Sequence, residues 1–166
     1  VLGTGLVGRA WAVVFARAGC EVALFDPVQG AVDKTLGLID EMLPALSSVD
    51  LLGGGDPDTV RARVRAANSL EDLVDGVSYI QESGPERVES KRAIHEELDA
   101  CAPENVVIGS STSGIPASAF SEGLRGRHRL LVAHPINPPH IVPLVELIPA
   151  PWTAPATVDL TEALMR

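Results

Sequence analysis

Three glycines near the start of the chain, Gly3, Gly5 and Gly8, constrain its fold more than any other feature. They follow two apolar residues that have the pattern of a strand end, and they open a stretch of helix-favouring residues at 9–17. A second short apolar segment ends in an acidic residue, Asp26, roughly 20 residues further on. This order of strand, glycine turn, helix and acid-tipped strand predicts the first βαβ unit of an open α/β sheet.

Apolar strand segments alternate with helical segments along the rest of the chain. Strands are predicted near residues 64–67, 77–82, 106–110, 130–133 and 145–148, and helices near residues 30–48, 70–74, 87–100, 116–120 and 157–166. Pro44 is expected to kink or end the first of these helices. The alternation is typical of a parallel sheet covered on both faces. We therefore predict an α/β fold, a doubly wound Rossmann-type domain with a mostly parallel sheet over residues 1–166.

The glycine turn has the residue types that a bound dinucleotide requires. Gly3 would permit the tight turn, Gly5 would let the backbone approach a pyrophosphate, and Gly8 would let the helix pack against the strand. Asp26 would accept hydrogen bonds from the adenosine ribose, and its charge would repel a 2′-phosphate, which favours NAD over NADP. The alternative is a helix start whose glycines serve packing only.

The charge balance limits the kinds of partner. The chain carries 13 Lys and Arg against 22 Asp and Glu, a formal net charge of −9, which argues against non-specific binding to nucleic acid or anionic membranes. No apolar run is long enough to span a bilayer. Two cysteines, Cys20 and Cys101, favour a reducing, cytoplasmic location. The chain begins at Val1 without a Met and ends at Arg166 inside a helical pattern, so we expect it to be truncated at both ends.

Four histidines are candidates for acid–base chemistry. His95 lies in a polar helical segment and is expected on a solvated surface. His128 lies among arginines before a strand and is also expected at the surface. His140 belongs to a proline-rich loop and could face either way. His134 differs, because it directly follows an apolar strand, and ligands of open α/β sheets bind at the carboxyl ends of the strands.

Two other side chains are expected near His134. Glu146 lies in the next predicted strand, after a rigid loop that would return the chain towards His134, and Ser113 follows the preceding strand. Adjacent parallel strands would align the hydroxyl, imidazole and carboxylate along one edge. A carboxylate fixes the tautomer of a histidine and raises its basicity, which suits removal of a proton from an alcohol. Metal binding by His134, His140 and Glu146 is the competing interpretation, but the spacing fits no common zinc signature, so no metal is expected.

With these residues placed, the whole chain resembles the NAD-binding domain of the 3-hydroxyacyl-CoA dehydrogenase family, and most of all its lambda-crystallin/L-gulonate 3-dehydrogenase branch. The resemblance is carried by residues 3–8, 80–82, 110–113, 133–139, 143–147 and 153–159. Its most specific part pairs His134, in the sequence His-Pro-Ile-Asn-Pro-Pro, with Glu146. The resemblance implies that an all-helical C-terminal domain, which completes the active site and forms a homodimer, is missing from this chain.

The resemblance also implies roles for individual residues. His134 would be the general base, Glu146 would pair with it, and Ser113 and Asn137 would lie against substrate and nicotinamide.

Contacts with the cofactor are implied for a second set of residues, which consists of Leu6, Val7, Asp26, Glu86 and Lys91. By residue type alone, Glu86 and Lys91 would instead be solvated charges at a helix start.

The activity that the resemblance implies is NAD-dependent oxidation of the 3-hydroxyl of a 3-hydroxy acid. The acyl-CoA enzymes of the family use a serine and a lysine to contact CoA after the second strand, whereas residues 31–55 here hold a single basic residue, Lys34. This difference favours a small polar acid such as L-gulonate. L-3-hydroxyacyl-CoA and L-carnitine are the alternative substrates, and an NAD-binding, crystallin-like structural protein is the alternative outside enzymes.

Overall fold

A computed structural model describes all residues from 1 to 166. Its helices are α1 (Leu6–Arg17), α2 (Ala31–Ser48), α3 (Pro57–Ala62), α4 (Leu70–Val74), α5 (Val88–Cys101), α6 (Ala117–Ser121) and α7 (Pro155–Met165). Its strands are β1 (Val22–Leu24), β2 (Val64–Ala66), β3 (Tyr79–Glu82), β4 (Val107–Ser110), β5 (Leu130–Pro135) and β6 (Val145–Pro149). The predicted elements are all present, with bounds that shift by a few residues.

The strands form one twisted parallel surface with a single reversed strand at its edge. β1 pairs with β2 in parallel, and β3, β4 and β5 pair in parallel in that order. Leu2 joins the two groups, because it forms parallel bridges to Phe25 on one side and to Glu82 on the other. The resulting order is β2, β1, Leu2, β3, β4, β5 and β6, which is the doubly wound arrangement that the sequence predicts.

Two apolar clusters cover the two faces of this sheet. Successive side chains of a strand point to opposite faces, and in β1 Val22 and Leu24 belong to one cluster while Ala23 belongs to the other. Helices α1 and α2 pack in the first cluster, and α4 and α5 pack in the second. Burial on both faces explains why the strands read as apolar runs rather than as alternating patterns.

The direction of β6 differs from the expectation. β6 runs antiparallel to β5, with His134 opposite Glu146 and Ala133 opposite Leu147, whereas parallel neighbours were expected. The physical reason is the short connection at residues 136–144, since a parallel crossover needs about a dozen residues or more. The reversal brings Glu146 directly beside His134.

The proline in α2 neither ends nor divides that helix. Pro44 lies inside the continuous helix Ala31–Ser48, so the expected end at this position is wrong. Buried residues on both sides of it, Leu43 and Leu46, anchor the helix in the apolar core, and this packing continues past the missing N–H of the proline.

None of the helices has both the length and the hydropathy that crossing a membrane requires.

Candidate active site

The glycine turn has the close contacts that its residue types predict. Gly3 has a φ of +87°, and a Cβ added to it would lie 2.6 Å from the carbonyl oxygen of Ser83. A Cβ on Gly8 would lie 1.9 Å from the carbonyl oxygen of Gly3, so α1 and the preceding strand approach each other too closely for any side chain. A Cβ on Gly5 would meet nothing within 4 Å, because Gly5 faces open space.

Asp26 is fixed next to this turn by three hydrogen bonds. Its Oδ2 accepts from the N–H (2.8 Å) and from the hydroxyl (3.0 Å) of Thr4, and its Oδ1 accepts from the N–H of Val28 (3.0 Å). An ionised carboxylate offers about four acceptor positions, so one position on Oδ1 stays open. Asp26 can therefore accept a hydrogen bond from a ligand hydroxyl while the protein holds its orientation.

A groove of about 390 Å³ runs between the glycine turn and the carboxyl end of β3. Gly3, Gly5 and Asp26 form one wall, and Ser83 is part of the opposite wall. Leu6 begins α1 with 70% of its surface exposed, and Val7 is half-buried beside it. The groove has the size of a small-ligand site, and the free N–H groups of the first turn of α1 can bind an anion there.

His134 and Glu146 form a hydrogen-bonded pair at the carboxyl end of β5. Their Nδ1 and Oε2 atoms are 2.9 Å apart, and the imidazole is 22% exposed. A carboxylate only accepts, so Nδ1 donates the proton and Nε2 keeps its lone pair. The arrangement leaves Nε2 able to accept a proton, and the imidazolium that would form is stabilised by the neighbouring charge.

Glu86 holds the loop that carries Ser113. Its Oε1 accepts from the hydroxyl of Thr112 (2.6 Å) and from the backbone N–H groups of Ser113 (3.0 Å) and Gly114 (3.1 Å). Burial opposes ionisation of Glu86, but these hydrogen bonds and the charge of Lys91 outweigh it, so the pKa of Glu86 lies below its usual range. Glu86 therefore stays charged and fixes the loop backbone.

Ser113 and Asn137 are both exposed at the edge where β4 and β5 end. In the parallel pairing Ser110 lies opposite Val132, so the residues after each strand emerge at the same edge. The structure thus brings Ser113, Asn137 and the His134–Glu146 pair to one end of the sheet.

Lys91 is buried, in contrast to the solvated position that its residue type suggests. Its ammonium lies 2.8 and 2.9 Å from the two carboxylate oxygens of Glu82 and 3.2 Å from the carbonyl oxygen of Gly84. A lysine has three donors, and these contacts use all of them. The ammonium lies 3.9 Å from Glu86, so its charge supports that carboxylate.

His95 is fully buried, so the expected solvated position is wrong. Its Nδ1 lies 2.8 Å from the carbonyl oxygen of Lys91, its ring packs against Phe120, and its Nε2 is 4.0 Å from Glu82. Desolvation lowers the pKa of His95. Lys91, His95 and Leu98 lie on one face of α5, and this spacing is the sequence signal that could have predicted the burial of His95. The polar residue types of Lys91 and His95 pointed to solvent instead.

The other two histidines lie outside the pair. His128 is exposed, as predicted, and His140 is half-buried in the loop after β5, where its backbone carbonyl accepts from the guanidinium of Arg17 (2.8 Å). Burial and the positive charges of Arg17 and Arg9 lower the pKa of His140. No group of three or more His, Cys, Asp or Glu side chains has a geometry that could hold a metal ion.

Sequence reasoning assigned no role to Glu82, which is fully buried at the end of β3. Besides Lys91, its carboxylate accepts from the hydroxyl of Ser110 (2.5 Å) and from the N–H of Gly84 (2.5 Å). The only sequence signal for this role was the position of Glu82 at the end of an apolar strand, because a charged residue buried there needs partners. Glu82 ties the ends of β3, β4 and α5 together beneath the groove.

The fold and this site define a Rossmann-type dinucleotide-binding domain with a histidine–carboxylate pair at its ligand edge. The chain matches the family described as 3-hydroxyacyl-CoA dehydrogenase, NAD binding domain, over residues 1–166, and it belongs to that family. NAD is accordingly the cofactor of this domain.

Three similar proteins illustrate the range of the family. The chain is 44% identical over 168 residues to the lambda-crystallin homolog of Bos taurus, and it covers 52% of that protein. It is 39% identical over 158 residues to the L-carnitine dehydrogenase of Streptomyces griseus, covering 95% of this chain and 46% of that one. The (S)-3-hydroxybutyryl-CoA dehydrogenase PaaH1 of Ralstonia eutropha superposes with a TM-score of 0.90 at 29% identity, over 99% of this chain and 58% of that one. The chain spans about half the length of the curated relatives.

Proposed function

We propose that the protein carrying this chain oxidises the 3-hydroxyl of a 3-hydroxy acid with NAD, and that His134 is the general base. The observation that carries the proposal is the 2.9 Å contact between Nδ1 of His134 and Oε2 of Glu146 at the carboxyl end of β5. This contact orients the imidazole and leaves Nε2 to take the hydroxyl proton. A positioned base of this kind contributes a rate factor of about 10² to 10⁴.

The other residues of the site position the reactants. Ser113 and Asn137 offer exposed polar groups at the edge where β4 and β5 end, and we assign them to contacts with substrate and nicotinamide. Glu146 stabilises the imidazolium that forms when His134 accepts the proton. NAD, when bound, supplies the redox chemistry by accepting the hydride from the substrate carbon.

The cofactor is held by the groove at the glycine turn. Leu6 and Val7 would lie beside its pyrophosphate, and Asp26 would accept a hydrogen bond from its adenosine ribose through the open position on Oδ1. The same carboxylate disfavours the 2′-phosphate of NADP. Glu86 would act through the Ser113 loop that it fixes, and Lys91 would act through the carboxylates of Glu82 and Glu86 that its charge supports.

Among the substrates, a small polar acid of the L-gulonate type fits best. CoA carries phosphates and needs cations, whereas helix α2 presents one lysine, Lys34, which is exposed. L-carnitine is a second candidate, because a relative named L-carnitine dehydrogenase is 39% identical to this chain. A homodimer built through the helical domain and a cytoplasmic location complete the proposal.

A side-by-side assay tests the substrate. Full-length protein would be incubated with NAD and either L-gulonate, L-carnitine or 3-hydroxybutyryl-CoA, and NADH formation would be followed. We expect the highest kcat/KM with L-gulonate. A higher kcat/KM with either other substrate would overturn the substrate assignment but not the dehydrogenase activity. Binding of NAD without turnover of any of the three would favour a structural, crystallin-like role.

A further inference from the structure

A small cluster of hydroxyl and amide groups lies where β3 and β4 end, next to the groove. The Oγ atoms of Ser83 and Ser111 are 2.8 Å apart, and either could be the donor in that contact. Ser111 has two further partners, the indole N–H of Trp11 at 3.1 Å and Nε2 of Gln81 at 2.7 Å. The direction of the bond between the two serines follows from these partners.

The orientation of the Gln81 amide is fixed by two neighbours. Its Nε2 lies 3.1 Å from the backbone carbonyl of Ala133, which can only accept, so this atom is the donor. Its Oε1 accepts from the hydroxyl of Tyr79 at 2.6 Å. Burial raises the pKa of Tyr79, so its phenol keeps the proton that it donates. The amide therefore presents an N–H to Ser111.

These contacts determine the direction in which the Ser111 hydroxyl donates its proton. A hydroxyl oxygen has two acceptor positions and one proton. Both acceptor positions are filled, because Trp11 and Gln81 can only donate there. The proton of Ser111 must therefore point to Ser83, and Ser83 is the acceptor in their contact.

Because Ser83 accepts from Ser111, the hydroxyl proton of Ser83 has no partner inside the chain. The Oγ of Ser83 has no other hydrogen bond in the structure, and the residue is half-buried in the wall of the groove. Its Cβ is 3.4 Å from the position that a Cβ on Gly8 would occupy, so it lies against the start of α1. The free proton is available only to a ligand or solvent in the groove.

We infer that Ser83 is a cofactor-binding residue whose hydroxyl donates a hydrogen bond to an oxygen of the dinucleotide, on the nicotinamide-side phosphate of its pyrophosphate or on the adjoining nicotinamide ribose. The inference rests on the proposed NAD groove, in which the pyrophosphate would lie over the glycine turn. The relay from Tyr79 through Gln81 and Ser111 makes Ser83 a donor before the ligand arrives. Both oxygens can accept this bond, and fragments of NAD separate them.

The test measures binding by calorimetry to full-length wild type and to Ser83→Ala and Ser83→Cys. The ligands are NAD, ADP-ribose, ADP and AMP. We expect Ser83→Ala to weaken the binding of NAD and of ADP-ribose about tenfold. The binding of AMP should fall by less than about twofold, because AMP has neither the nicotinamide-side phosphate nor the second ribose. Ser83→Cys fills the same space with a weak donor and is expected to lose a similar factor, which excludes a mere loss of volume.

ADP identifies the accepting oxygen. If Ser83→Ala weakens ADP binding as much as NAD binding, the acceptor is the phosphate. If ADP binding changes as little as AMP binding, the acceptor is the ribose. Ser48→Ala removes an exposed hydroxyl at the end of α2 and is the matched control. An unchanged NAD affinity in Ser83→Ala, or an equal loss for AMP, would overturn the inference. Failure of the wild type to bind NAD would instead overturn the cofactor groove itself.

Discussion

The buried ion pair of Glu82 and Lys91 predicts how much unfolding free energy is lost when the cation is removed. The two side chains are 0% and 1% exposed, and the ammonium contacts both carboxylate oxygens at 2.8 and 2.9 Å. Lys91→Met removes the cation and leaves a carboxylate that water cannot reach. Removing one partner of a buried ion pair costs about 3–5 kcal/mol. At about 2–4 °C per kcal/mol for a chain of this size, Tm should fall by about 6–20 °C.

Circular dichroism of the full-length protein would follow thermal unfolding, which gives Tm, and urea unfolding, which gives the free energy. Lys34→Met is the matched control, because Lys34 is the other lysine of the chain and is exposed. The double variant Glu82→Gln/Lys91→Met removes both charges, so it should lose less stability than the two single losses added together. A loss below about 1 kcal/mol in Lys91→Met, or one equal to that of Lys34→Met, would refute the reasoning.

Three further outcomes follow from single contacts. Gly8→Ala places a Cβ 1.9 Å from the carbonyl oxygen of Gly3, so calorimetry should detect little NAD binding and unfolding should show a loss of more than about 2 kcal/mol. Asp26→Ser removes the charge that repels a 2′-phosphate, so the ratio of NADP to NAD affinity should rise about tenfold or more. Asp99 is half-buried beside Arg129 (3.0 Å). Although burial opposes its ionisation, hydrogen bonds from Gly126 and Arg129 hold its pKa below the ordinary 3.8. The stabilisation that the ionised Asp99 contributes is therefore complete above 3.8 and is lost as the pH falls through the lower folded-state pKa. Asp99→Asn should be less stable than wild type at neutral pH, and the two stabilities should converge in acid.

Each of these outcomes has a clear opposite. Normal NAD binding by Gly8→Ala would mean that the turn relaxes around a side chain. An unchanged cofactor ratio in Asp26→Ser would remove that carboxylate from ribose recognition. A constant stability difference between Asp99→Asn and wild type at all pH values would show that the carboxylate charge contributes nothing.

The glycine turn could be predicted from the sequence because its chemistry is local. The positive φ of Gly3 and the contact between Gly8 and Gly3 are properties of a few consecutive residues, so the pattern itself carries them. The His134–Glu146 contact was also predicted, although the direction of β6 was not. Glu146 is the second residue of β6, so a parallel β6 would have placed it at the opposite edge from His134. The short connecting loop requires the antiparallel direction, and only that direction brings the two side chains together.

The buried polar groups could not be predicted, because their partners lie far away in sequence. His95 and Lys91 look like solvated residues of a polar helix, and they are buried because a strand contributes Glu82 beneath them. The donor role of Ser83 likewise depends on Trp11 and Gln81, which reach Ser111 from two other elements. Hydrogen-bond direction is a property of the whole network, so no single segment reveals it.

The central claim is that His134 takes the substrate proton, and single-turnover formation of NADH in His134→Gln tests it most directly. With full-length protein saturated with NAD and the best substrate of the panel, the account predicts a rate lower by about 10² to 10⁴, with NAD affinity unchanged. His128→Gln, which alters an exposed histidine, should keep the wild-type rate. A rate for His134→Gln within about twofold of the wild type would show that another group accepts the proton.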